Sequence, residues 1–371
     1  MHMVGCNFRA WVLPASLALS WANPASSLAS ETPQTVSILA WPTSFSRNIL
    51  DEFTEKTGIR VIVDNTPSDE FSETKVLAGK SGYDVINITA HPYVPHLVKA
   101  GAIEPLLHQK VPNLALQDKR LLGNLEKPEE RSSIALYYWG TTGIGLSSAA
   151  LHVLPNDVEL DSSALVFNPV YASKLGKCGL TFLDSPTDVI PLALLYLGFD
   201  PDNLSDPALE EVVELFENIR PFIRKFDSTG YKRALAQGDI CAAVGWSEAV
   251  YLANESAHKN GSKNDIKYIL PREGGLVWTS GFVIPKDAPH RQNAEIFVNF
   301  AISREAGADL TQSVKIASAV PSSRELLSKE VLENPITFPR EESNLHYFKG
   351  AVTAKDLRRM NRAWSRIKYG K

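Results

Sequence analysis

The chain has 371 residues, 44% of them hydrophobic and 22% charged, with 38 Lys+Arg against 42 Asp+Glu and a formal net charge of −4. That length allows two domains with ample apolar material for a core, and the charge argues against a nucleic-acid binder relying on a broad basic surface. Three cysteines are too few for a disulfide-built scaffold or a four-cysteine zinc site, and the composition suits neither disorder, collagen nor coiled coil.

Residues 1–29 read as a signal peptide. Arg9 is the only charged side chain before Glu31, the apolar run Ala10–Leu19 follows it, and Ser27-Leu28-Ala29 offers a small-residue cleavage site, with Ala25 a second one. A buried N-terminal helix is the alternative, disfavoured by Pro14 and Pro24. Cys6 precedes the apolar run, so it is not placed like an acylated lipoprotein cysteine. No later run approaches the roughly 20 apolar residues that span a bilayer. The expectation is an exported, soluble, periplasmic protein. Cleavage leaves 37 basic side chains against 42 acidic, a net charge of −5, and two cysteines, Cys178 and Cys241. In an oxidising compartment that pair is a disulfide candidate; two buried free thiols are the alternative.

In chain order, 35–40 reads as a strand, 48–58 as a helix closed by Gly58, 59–63 as a strand, 69–78 as a helix and 84–88 as a strand. A second region from about 140 to 270 carries a strand at 180–183, helices near 189–197 and 207–219, and a strand at 240–244. Strand–helix–strand units of this length predict parallel sheets with helices on both faces and a ligand site beyond the carboxyl ends of the strands. Trp41-Pro42-Thr43 and Thr89-Ala90-His91 sit at two such ends. The polar stretch 254–265 reads as a surface loop or frayed helix end, and Tyr137-Tyr138-Trp139 as core or hinge packing.

Several chemistries are missing. There is no phosphate-binding loop and no H-E-x-x-H zinc helix. Gly143-Ile144-Gly145 only begins a dinucleotide fingerprint, with no evident strand before it, and reads as a tight backbone crossing. Gly245-Trp246-Ser247-Glu248-Ala249 approaches a serine nucleophile elbow but ends in Ala, so an exported hydrolase using Ser247 is the weaker alternative. His91 and His96, five apart across two prolines, suit loop histidines better than metal ligands.

Read in order, the chain resembles the periplasmic polyamine-binding proteins of bacterial ABC importers. The resemblance rests on Trp41, 53–61 (FTEKTGIRV), 82–86 (GYDVI), 138–145 (YWGTTGIG), 178–184 (CGLTFLD), 238–246 (GDICAAVGW), 271–275 (PREGG) and Ile284-Pro285. It implies an α/β, periplasmic-binding-protein-like fold of type II, in which two doubly wound lobes joined by a hinge trap ligand between them. Lobe 1 is expected over 30–137 plus about 278–320, and lobe 2 over 138–277 plus about 321–371. It also implies a Cys178–Cys241 disulfide. Its aromatic box falls on Trp41, Trp246 and Trp278, its serine on Thr89 and one glutamate on Asp188.

The sequence departs from this pattern where acids would hold cationic amines, because Thr43, Ala249 and Ser280 stand at those positions and Ile316 replaces an aromatic. Glu248 lies beside the missing acid but, on a helix, projects about 100° from position 249. The expected ligand set is Trp41, Thr43, Thr89, Asp188, Trp246, Glu248, Trp278 and Ser280. A polyamine is expected, held by aromatic faces and charge-assisted hydrogen bonds. The alternative is another small amine such as an ω-amino acid, with Lys315, Arg272 or His91 available for its carboxylate. The other expectations are an ABC permease as membrane partner, a monomer, no nucleic acid, no cofactor, no metal and no catalysis. Signalling to a membrane sensor is the remaining variant.

Overall fold

The first strand–helix–strand unit forms where hydrophobic spacing places it. In a computed structural model, which describes residues 34–348 and 352–370 together with positions 2 and 5, β1 (Thr35–Ala40) leads into the helix Arg47–Thr57. Ser46 caps that helix by accepting from the Ile49 amide, and Gly58 closes it in the left-handed conformation. Its buried face carries Ile49 and Phe53. The chain returns in β2 (Arg60–Asn65), crosses through the helix Asp69–Ala78 and enters β3 (Val85–Thr89), both β2 and β3 pairing parallel with β1. The expected signal peptide, 1–29, lies outside the described residues apart from positions 2 and 5.

The expectation of purely parallel sheets needs correcting. β4 (Ala135–Ser147) is a 13-residue strand buried along its whole length, and it absorbs both the aromatic stripe and the Gly143-Ile144-Gly145 segment. The strand not evident before Gly143 is therefore β4 itself. A Cβ on Gly143 would lie 2.4 Å from the Ile269 carbonyl oxygen, so the glycine does serve a close backbone crossing, not a nucleotide turn. Beyond it come β5 (Leu180–Phe182), β6 (Ile223–Phe226), β7 (Ala242–Trp246), β8 (Ile266–Ile269) and β9 (Gly275–Val283). β5 pairs parallel with β6 and β7, whereas β4 runs antiparallel to β7, β8 and β9, and β9 antiparallel to β3. With the short β10 (Ala317–Ser318) and β11 (Leu345–Tyr347), the described residues form one mixed sheet ordered β2-β1-β3-β9-β4-β7-β5-β6.

Apolar side chains gather at the two ends of this sheet. One core joins Val36, Ile38, Phe53, Tyr137, Phe282 and Phe297, with a neighbouring cluster around Ile86, Leu97 and Val283. The other joins Ile144, Phe167, Phe182, Phe216 and Val244. The chain crosses between them more than twice. Leu327 and Val331 pack with Ala308 near the first core, whereas Met360, Trp364 and Ile367 of the C-terminal helix Ala354–Tyr369 belong to the second. The connecting stretch is held by β11 on β9, by Phe348 stacked on His91 at 5.4 Å, and by the Val352 carbonyl 3.1 Å from His96 Nε2. The polar stretch 254–265 divides into the end of the helix Ser247–Lys259 and the turn before β8.

Cys178, last residue of the helix Pro169–Cys178, is disulfide-bonded to Cys241, which precedes β7, across a sequence separation of 63 residues. In the chain-entropy picture a loop of that length restricts the unfolded state by about 4 kcal/mol. Reduction, or the paired change Cys178→Ala and Cys241→Ala, is expected to lower the unfolding free energy by up to about that amount, read from urea melts with and without reductant.

Candidate functional site

A cavity of about 690 Å³ opens where the carboxyl ends of β1, β3 and β7 meet the crossing strands β4 and β9. Each residue of the expected ligand set lines it: Trp41, Thr43, Thr89, Asp188, Trp246, Glu248, Trp278 and Ser280. Ile316 and Ala249 line it too. Lys315 and Arg272 do not. Lys315 Nζ donates to the Gln312 carbonyl, and Arg272 pairs with Glu159 and Asp161 on an exposed face. His91 does line it, against Phe348.

Two indoles meet across the cavity. Trp41 follows β1 and Trp246 ends β7, and their rings lie edge to face at 5.8 Å. Each indole N–H is held by a carboxylate from the first turn of a helix. Trp41 Nε1 donates to Asp69 Oδ1 at 3.2 Å, and Trp246 Nε1 donates to Asp188 Oδ1 at 3.3 Å. Asp188 is further occupied by the Thr142 hydroxyl at 2.5 Å and the Ser185 hydroxyl at 2.7 Å, so three donors already use its oxygens. That arrangement fixes the Trp246 ring more than it offers a free acid to a ligand.

The third indole depends on a missing side chain. Trp278 of β9 faces Gly140 of β4, and a Cβ there would sit 2.4 Å from the indole ring. The ring also lies edge-on to Tyr138 at 6.2 Å, and its Nε1 has no hydrogen-bond partner among the described residues. Beside it Ser280 is buried, its hydroxyl 3.2 Å from that of Thr89 across the β3–β9 pairing. Behind them Tyr138 Oη donates to Asn87 Oδ1 at 2.6 Å, and Ser44 Oγ lies 3.0 Å from the same oxygen.

Acids that spacing arguments missed stand on the β1 side. Asp69 and Glu70 open the helix capped by Ser68 and both line the cavity. Burial pushes the Asp69 carboxyl up to about 7, against donors at Thr89 and Trp41 that favour its charge. Glu70 accepts from Tyr93 Oη at 2.7 Å. The rule placing ligands beyond strand ends applies to β2 as well as to β1 and β3, and Ser68-Asp69-Glu70 lies there.

Glu248 and Ala249 are successive residues of the helix Ser247–Lys259, and both line the cavity. Only 7% of Glu248 is exposed, and its Oε2 has no hydrogen-bond partner among the described residues. Burial raises its carboxyl to about 7 and that of Asp188 above its usual range. Ser247, by contrast, is buried, does not line the cavity and accepts from the Thr141 amide at 3.3 Å, which is not the posture of an exposed nucleophile. Among the described residues no group of three or more His, Cys, Asp or Glu could hold a metal ion.

The family model described as bacterial extracellular solute-binding protein matches residues 48–339. The chain is 36% identical over 360 residues to the putrescine-binding periplasmic protein SpuD of Pseudomonas aeruginosa, covering 96% of this chain and 98% of that one. It is 32% identical over 342 residues to the putrescine-binding periplasmic protein PotF of Escherichia coli, covering 91% and 92%. A solved structure described as a putative spermidine/putrescine ABC transporter from Listeria monocytogenes superposes with a TM-score of 0.79 at 24% identity, covering 91% of this chain and all of that one. That likeness carries the fold, the type II binding-protein arrangement expected from sequence. Among the described residues no helix is long and apolar enough to cross a membrane.

The Trp278–Gly140 contact is directly testable. Gly140→Ala forces the indole from its seat, and is expected to cost about 1–3 kcal/mol of stability in a urea melt, the usual penalty of overpacking.

Proposed function

This chain belongs to the bacterial extracellular solute-binding protein family, and from that premise we propose that it is the periplasmic receptor of an ABC importer for a polyamine of the putrescine or spermidine class. The observation that carries this reading is the cleft. Three tryptophans offer flat faces to an alkyl chain and to its ammonium groups, and Asp69, Glu70, Asp188 and Glu248 surround them. Two lysines line it, Lys232 and Lys368, the latter paired with Asp184 at 2.8 Å, against seven acidic residues along the same lining. Such a field favours a cation over a neutral or anionic solute.

In this reading Trp41 and Trp246, in contact edge to face, form one aromatic wall beside the methylene chain, Trp278 forms another, and Thr43, Thr89 and Ser280 accept from ammonium N–H groups. Glu248 on one wall and Asp69 with Glu70 on the other supply the charge that Thr43, Ala249 and Ser280 lack. The protein carries out no chemistry. Its two sheet ends act as lobes about the β4, β9 and 345–352 crossings, closing on the cargo and presenting the closed form, as a monomer, to a membrane permease. A second reading, an amine that also carries a carboxylate, is favoured by Lys232, which lines the cleft and makes no ion pair among the described residues.

Calorimetry of putrescine, spermidine and 4-aminobutyrate against the purified protein separates these readings. Saturable heat with the polyamines is expected, and Ser280→Asp should tighten them at least about fivefold at pH 8, near 1 kcal/mol for one added charged hydrogen bond. Saturation by 4-aminobutyrate alone would transfer the assignment to the second reading. No saturable heat with any of the three would remove the amine assignment.

A further inference from the structure

Glu248 is a cleft acid whose Oε2 has no hydrogen-bond partner among the described residues. It is nine-tenths buried. Burying a carboxylate with little besides helix-start amides to replace its water is costly, and a carboxyl group in that position lessens the cost by keeping its proton.

Every element packed around it points the same way except two. From the helix Tyr231–Gln237 come the Tyr231 phenol and the Lys232 ammonium, and Lys232 makes no ion pair with it among the described residues. From β4 and β8 come Tyr138 and Tyr268, whose phenols are themselves held neutral by burial. Tyr268 Oη is engaged with Thr141 Oγ1 at 2.8 Å and Tyr231 Oη with the Trp246 amide at 2.9 Å. From the helix Pro186–Tyr196 comes Asp188, a like charge. Only Lys232 at a distance and the amides of Glu248 and Ala249 at the helix start favour the carboxylate.

We propose that Glu248 carries a proton in the empty cleft and that capture of an ammonium group expels it. The proposal rests on the reading of the cleft as an amine site. The exchange balances without a further reactant: the Glu248 O–H bond breaks, the proton goes to solvent, and the carboxylate pairs with the cargo's N–H, the ammonium keeping its own protons. Affinity for a cation then rises with pH across neutrality. Only the ionised acid pairs with the cargo, and the fraction ionised before binding grows as pH passes the acid's titration, which burial has brought to about 7. Asp69, titrating in the same range, adds its own component, so the difference between parent and Glu248→Gln isolates Glu248.

The test is calorimetry with putrescine and spermidine on the full mature chain, from pH 6 to pH 8, in two buffers of different ionisation enthalpy. The parent is expected to bind about tenfold tighter at pH 8 than at pH 6 through this group alone and to release protons near pH 6.5. Glu248→Gln should release fewer protons and lose that part of the slope. A second readout needs no ligand: the variant should melt higher than the parent at pH 8 and alike near pH 4.5, because above the unfolded acid's titration folding must take up a proton or bury a charge at Glu248, a cost that grows up to about pH 7 and that Gln does not carry. Equal proton release and equal slopes in parent and variant, with polyamine still bound, overturn the proposal and leave the amine reading standing. Absence of any polyamine binding from pH 6 to pH 8 overturns both.

Discussion

The pairing of β4 with β9 is the constraint on which the site depends. Both strands are buried nearly throughout and both run from one apolar core to the other, so the cleft floor is made of continuous ladder. A floor of that kind places side chains by register. Trp278 lies opposite Gly140, Ser280 opposite Tyr138, and Thr142 opposite Trp246 on the next strand. The walls come from strand ends and helix starts that meet this floor, which is why residues distant in sequence converge on one cavity.

The carboxylates divide between two tasks. Asp188, with three donors on its oxygens, holds an indole in place, and Asp69 holds the other while remaining at the cavity surface. Glu248 fixes no indole: its Oε2 has no hydrogen-bond partner among the described residues, and the helix-start amides of Glu248 and Ala249 are what favour its charge. An acid that spends its lone pairs on the protein is a fixture, whereas one left without partners has binding capacity to give to a cation.

Much of this was legible in the sequence, for stated physical reasons. β1, the Arg47–Thr57 helix with its Gly58 stop and the Asp69–Ala78 helix follow from apolar spacing and end signals, and all three stand where expected. The tryptophan box follows from the resemblance, and the three indoles do line one cavity. β4 was hidden because a strand buried on both faces, interrupted by three glycines, shows no alternation to read. β9 was hidden for the same reason. Asp69 and Glu70 were missed because a helix start rich in acid reads first as capping. Glu248 was legible as the acid beside position 249, and both residues line the cavity.

The disulfide has a consequence beyond stability. Cys241 immediately precedes β7, and that strand ends in Trp246, with Glu248 two residues further on. The crosslink ties the root of this short strand to the end of the Pro169–Cys178 helix, leaving the indole and the acid on a tether only a few residues long. Oxidation of the thiols therefore adds a covalent anchor to a wall that the ladders of β7 with β4 and β5 already place. Chain whose thiols stay reduced carries the same residues but lacks that crosslink behind the wall.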